Sequence, residues 1–241
     1  MIRTVEFADW HDFKSGFRDE LGSGRPIIQR YVFRGQANAS WGIMSSFDRS
    51  IPAHLTDRER EYAKFLSFFR LLNERVGTDL SSLGDLDLAG IAQHYGMPTR
   101  LIDWSRSPYV AAYFAFYYCR LSDDSDPNVA IWAIDTVEFE RAVDKRKFQI
   151  CNTKPYRNYR INRQAGKFIS ACGAESSLSG YISGLRSDCP LLIKFVIPVE
   201  ESAEALNDLI LMGLSPADIY PDFEGIANYV KLRMRFDGYS V

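Results

Sequence analysis

At 241 residues, with 46% hydrophobic and 25% charged side chains, the chain has the composition of a folded protein and not of a disordered one. That length predicts one domain with insertions, able to bury a sizeable core without disulfide staples. With 29 Lys and Arg against 31 Asp and Glu, the net charge of −2 gives no global attraction for nucleic acid or an anionic membrane, so a polyanion must be held by a local patch.

In chain order, a short strand is predicted around Thr4–Phe7, followed by a helix capped by Asp9 and ended by Gly22-Ser-Gly-Arg-Pro26. Gln29–Arg34, rich in Tyr, Val and Phe and bounded by Gly35, reads as a strand. Leu55–Val76 reads as a helix whose apolar face carries Tyr62, Phe65, Leu66, Phe69, Leu72 and Val76. A second helix, Asp85–Tyr95, stops at Gly96 and Pro98, and the residues up to Ser105 read as a connection. Ser107-Pro108 opens a third helix, to Tyr118, that is apolar on every side and so belongs at the centre. Arg120–Asn128 reads as an acidic loop, and Val129–Ile134 and Leu191–Ile197 as strands buried on both faces. Glu138 and Glu140 fall at the start of a surface helix. Two helices, Glu200–Leu214 and Phe223–Arg235, follow. The pattern predicts an α+β fold, a mixed central sheet surrounded by helices.

Cys119, Cys151, Cys172 and Cys189 form no CxxC pair, and His11, His54 and His94 form no ligand cluster, so no metal site is expected. Isolated thiols fit a reducing compartment. The N-terminus lacks an apolar signal region and no stretch reaches membrane-spanning length, so a cytoplasmic location without a membrane partner is expected.

Two segments concentrate chemistry. In Tyr31-Val-Phe-Arg-Gly-Gln36, Arg34 ends a strand beside a glycine that permits a sharp turn and close approach of a ligand, and its planar fork suits a carboxylate or phosphate. The plainer alternative is a salt bridge to a core acid. Gln93–Ser105 carries Gln93, His94, Thr99, Arg100, Asp103, Trp104 and Ser105 in thirteen residues and delivers them to a helix N-terminus, a place suited to an anion. A third feature is the acid-free run Lys145, Arg146, Lys147, Lys154, Arg157, Arg160, Arg163 and Lys167, interleaved with Phe148, Tyr156 and Tyr159. Such a run is a solvated face, a grip on single-stranded nucleic acid, or a grip on a nucleotide's phosphates.

Phe33-Arg34-Gly35, Trp41, Arg49, the central Gln-His-Tyr-Gly-x-Pro-Thr-Arg-Leu-x-Asp-Trp-Ser, Gln164-Ala-Gly-Lys-Phe168 and Tyr220-Pro-Asp-Phe-Glu-Gly-Ile-Ala227 together resemble the FRG domain family. That family is bacterial and phage-associated, which implies a toxin or phage-defence setting. The arrangement is also distantly similar to ADP-ribosyltransferases, in which an early strand ends in an Arg or His that holds NAD, a Ser/Thr segment precedes an Ala- and aromatic-rich helix, and a late acid catalyses. The resemblance implies a fold of that type and NAD as substrate. Arg34 would then hold a phosphate or ribose, with Gly35, Gln36, His94, Thr99, Arg100, Ser105 and Gln164 around the nucleotide. Trp104 or Tyr95 would stack on a ring, and Glu224 or Asp103 would oppose an oxocarbenium-like transition state. Where the late acid is wanted, Gln164-Ala-Gly166 has none. The competing reading is a non-catalytic nucleic-acid or nucleotide-binding module. A nuclease is disfavoured, because no cluster of metal-binding acids is evident.

Overall fold

The computed structural model describes residues 1–22, 30–52, 54–73, 75, 80, 82–119, 127–152, 166–187 and 189–239. Seven strands form one sheet: β1 (Ile2–Glu6), β2 (Tyr31–Gln36), β3 (Leu101–Ser105), β4 (Asn128–Asp135), β5 (Phe148–Cys151), β6 (Gly166–Ala171) and β7 (Leu192–Pro198), in the order β1-β7-β4-β2-β3-β6-β5. β1 runs parallel to β7 and every other neighbouring pair is antiparallel, so the sheet is mixed and the fold is α+β. The helices are α1 (Trp10–Gly16), α2 (Ser46–Ser50), α3 (Arg58–Asn73), α4 (Asp85–His94), α5 (Pro108–Cys119), α6 (Thr136–Ala142), α7 (Leu178–Gly184), α8 (Ser202–Leu211), α9 (Pro216–Ile219) and α10 (Phe223–Phe236).

Period-two alternation sorts the strand side chains onto two covered faces. Phe33, Ile131 and Phe195 meet α1, α5 and α8 on one side, through Trp10, Phe13, Phe116 and Leu206. Val32, Trp132 and Ile169 meet α6 and α7 on the other, through Phe139, Leu178 and Ile182. β4 lies near the middle of the sheet and is buried from Val129 to Asp135, as a continuous apolar run requires. The all-apolar α5 is buried along most of its length, with Ala111, Ala112, Ala115 and Phe116 at 1% exposure or less.

Two expectations change. Leu101–Ser105 is not a connection: it is β3, laddered to β6 from Leu101–Ser170 to Ser105–Gly166. Its polar Asp103 and Ser105 disguise a strand whose apolar members are Leu101, Ile102 and Trp104. The helix expected over Leu55–Val76 is α3, and Val76 lies outside the described residues. Its apolar face is only partly covered. Leu66 is buried, and Tyr62 and Phe69 are partly so, against Leu88, Leu101 and Phe168, while Phe65 and Phe68 stay more than half exposed.

Candidate functional site

β2 and β3 share one pairing, Phe33 with Ser105, and then part, while β2 remains laddered to β4 through Gln36. At this split lies a cavity of about 890 Å³, within the range of small-molecule sites. Phe33 and Gly35 reach its wall from the α5 side of β2, and Arg34 and Gln36 from the opposite side. α5 contributes the stripe Ala111, Phe114 and Tyr118, α4 contributes Gly90, Gln93 and His94, and β6 contributes Gly166, Lys167 and Phe168. Trp41, Met44, Arg49 and Tyr220 complete the main features of the wall.

The split is bridged by one hydrogen bond: Arg34 Nη1 donates to the Asp103 carbonyl at 2.7 Å. Arg34 Nη2 has no protein partner among the described residues, and Arg34 Nε and the indole nitrogen of Trp104 are buried without one. Buried donors in this condition are costly and rare in folded chains. Burial lowers the Arg34 pKa from the usual guanidinium value, and Asp103 pulls it back up. Asp103 is open to the cavity but crowded by protein elsewhere; burial raises its carboxyl pKa, opposed by Arg34 and by hydrogen bonds. Gln93 fixes that carboxylate, donating from Nε2 to Oδ1 at 2.6 Å, and Gln93 Oε1 in turn accepts from the Thr99 hydroxyl.

Among the described residues Asp103 is the one carboxylate on this wall, within the fields of Arg34 and Arg49, while Lys167 lines the wall with its ammonium donating to the Asn152 side chain at 2.6 Å. Seven aromatic residues border the same space, Phe33, Trp41, Trp104, Phe114, Tyr118, Phe168 and Tyr220, of which Phe33 and Trp104 are almost wholly buried. Cations and rings in one cleft fit a ligand that is both anionic and planar.

The residues singled out from sequence divide three ways. Arg34, Gly35, Gln36, His94, Asp103, Trp104 and Ser105 meet at the cavity. Thr99 stands behind it, fully buried, holding Gln93 and tied to Ser46. Arg100 does not reach it: its guanidinium pairs with buried Asp48 at 3.3 Å and donates to the Glu175 carbonyl at 2.9 Å. Tyr95 is 77% exposed and off the wall, and Glu224 is an exposed first-turn residue of α10, also off the wall. Gln164 lies outside the described residues, as do Lys154, Arg157, Arg160 and Arg163. Within the basic run, Arg146 pairs with Asp144 at 2.8 Å and Lys147 with Glu175 at 3.1 Å, while Lys167 is on the cavity wall.

Two local expectations are revised. Gly35, on the cavity wall, is also required by a helix: a Cβ there would sit 1.9 Å from the Ala111 carbonyl oxygen of α5. The cavity runs along the flank of α5 rather than at its N-terminal end, since the wall takes in Ser105 but neither Arg106 nor Ser107, and Ser107 caps Val110. Phe114 and Tyr118 were not singled out from sequence, and Tyr220 was noted only as the first residue of the late motif, with no role assigned. The spacing of Ala111, Phe114 and Tyr118 marks one helix face, but it is hidden in a helix that is apolar all round.

The fold and cavity define an α+β protein with a cleft at a split in its sheet. Residues 29–124 match the model of the FRG domain. The match runs from before β2 to beyond α5 and so includes Arg34, Arg49, Asp103 and the α5 stripe; Lys167, Phe168 and Tyr220 lie outside it. No curated protein and no solved structure matches the chain. Among the described residues no group of His, Cys, Asp and Glu could hold a metal ion, and no helix is long and apolar enough to cross a membrane.

Proposed function

We propose that this chain binds NAD in the split-sheet cavity and breaks its nicotinamide–ribose bond, passing ADP-ribose to an acceptor or to water. The observation that carries the reading is Asp103, the one described carboxylate on a wall otherwise supplied with cations and rings. Bond cleavage leaves the electron pair on the nicotinamide nitrogen and positive charge on the ribose carbon and ring oxygen. A carboxylate fixed beside that carbon, as Gln93 fixes Asp103, opposes the charge where it develops. Arg34 holds a phosphate with the nitrogen that protein leaves unpartnered, and Arg49 and Lys167 add positive potential. The incoming hydroxyl or water closes the bond at the ribose carbon and gives up its proton. Consumption of NAD would suit a toxin or a phage-defence protein.

The test is nicotinamide release from NAD, followed chromatographically. Wild-type protein should release it, and Asp103→Asn should lower the rate on the order of a hundredfold or more, the usual loss for one such electrostatic group. Binding of NAD without release would return the domain to the non-catalytic nucleotide-binding reading, and full activity in Asp103→Asn would remove this carboxylate from the mechanism.

A further inference from the structure

The motif Tyr220–Ala227 attracts attention through its acid, yet what it delivers to the cavity is an aromatic ring. Asp222 caps α10 by accepting from the Gly225 N–H at 3.1 Å. Gly225 lies so close to the preceding turn that a Cβ would stand 1.8 Å from the Tyr220 carbonyl oxygen. The start of α10 is therefore packed hard against Tyr220, which fixes that residue's backbone. Its ring meets Phe114 edge-on, centroids 6.5 Å apart at 80°. Phe114 lies parallel to Tyr118 at 6.2 Å and 7°, and the Tyr118 and Tyr220 hydroxyls are 3.3 Å apart. All three line the cavity, and Tyr118 is 43% exposed.

We propose that Phe114, Tyr118 and Tyr220 form the base subsite of the cavity, a stacking platform for the heterocycle of a nucleotide whose phosphate lies at Arg34. This rests on the nucleotide reading above and adds to it which wall holds the ring. Ala111 packs at Gly35, next to Arg34, and Tyr118 lies seven residues further along α5, roughly 10 Å at the helical rise. Arg34 borders the same cavity from the other side of β2, so a ligand seated in the split can place its phosphate at Arg34 and its planar ring on the α5 wall. Trp104 is unsuited to the task, being 3% exposed. Stacking tolerates any base, so the platform supplies affinity for a ring and leaves selection among bases to other contacts.

Calorimetry with AMP and ribose 5-phosphate separates ring from phosphate, since only AMP carries a base. Wild-type protein should bind AMP the more tightly. Tyr118→Ala, at an exposed position, should weaken AMP roughly tenfold to a hundredfold, the usual effect of removing one stacked ring, and leave ribose 5-phosphate unchanged. Tyr118→Phe should retain AMP affinity, because the ring remains. Unaltered AMP binding in both Tyr118→Ala and Tyr220→Ala overturns the subsite and leaves the nucleotide reading standing. Equal loss of both ligands in Tyr118→Ala reduces the residue to a structural role and overturns the subsite too. Absence of AMP binding in the wild type overturns both readings.

Discussion

Two arginine–aspartate pairs sit close together in this molecule and are built to opposite ends. Arg100 and Asp48 are both buried and bonded side chain to side chain: Asp48 also accepts from the Ser45 hydroxyl at 2.6 Å and pairs with Arg58 at 3.4 Å, and Arg100 also donates to the Glu175 carbonyl. Arg34 and Asp103 are electrostatic neighbours, but Arg34 bonds the Asp103 carbonyl rather than its carboxylate, and its buried Nε has no protein partner among the described residues. The first pair ties α2 to the residue that enters β3, cation to carboxylate. The second leaves part of its guanidinium unbonded to protein at the cavity wall, and burial works against the charge on both partners. Residue type and neighbourhood in sequence do not separate the two; what each guanidinium bonds does, a carboxylate for Arg100 and a main-chain carbonyl at the cavity for Arg34.

The largest effect that would break this comparison is on stability. Arg100→Met leaves the Asp48 carboxylate buried with one cation removed, and breaking such a pair costs about 3–5 kcal/mol. For a chain of this size that is a drop in Tm on the order of 10 °C. Arg34→Met, at a site open to the cavity and already short of partners, should change Tm far less while abolishing nucleotide binding. Equal destabilisation by the two substitutions, read in the same thermal scan, would erase the distinction between a structural and a ligand-facing pair.

A smaller effect sharpens it. Burial raises the Asp103 pKa, and Arg34 is the strongest influence in the other direction. A carboxyl raised on folding contributes stability that is complete below the ordinary carboxylate range and is lost as pH rises through the folded value. Removing the cation removes the restraint, so in Arg34→Met the Asp103 carboxyl should titrate higher still, and the loss of stability should move to higher pH. Carbon NMR of the Asp103 carboxyl in the two proteins measures the shift directly. An unchanged or lower titration point would mean that the two charges do not feel each other.

How much of this was legible before the structure follows from what each residue needs. The α+β class and the buried β4 could be read from apolar runs, because burial on both faces leaves no polar alternation to interpret. β3 could not, since its Asp103 and Ser105 face a cavity and break the apolar pattern that marks a strand. The density of polar residues in Gln93–Ser105 did locate the cavity, but it could not separate Asp103, which faces it, from Arg100, which turns away into a buried pair. That decision belongs to Asp48, fifty-two residues earlier. Tyr220 stayed hidden because its neighbours in sequence are a cap and a close-packed glycine, features that explain a helix start without mentioning a ligand.

Glu224 supplies the smallest expected effect and the last check on which carboxylate matters. It occupies the first turn of α10, two residues after the capping Asp222, and is exposed and absent from the cavity wall. A negative charge there interacts with the helix N-terminus, a contribution of about 0.3–1 kcal/mol that salt screens. Glu224→Gln should therefore lower Tm by no more than about 4 °C at low ionic strength, less at high salt, and leave nicotinamide release at the wild-type rate. The same substitution is a strong test because it keeps size and hydrogen-bonding capacity and deletes only charge. If it instead removed NAD cleavage while Asp103→Asn did not, the catalytic carboxylate would be the one on α10. The last helix would then have to move its first turn to the cavity when the ligand binds, and the contrast between the two arginine–aspartate pairs would describe binding alone.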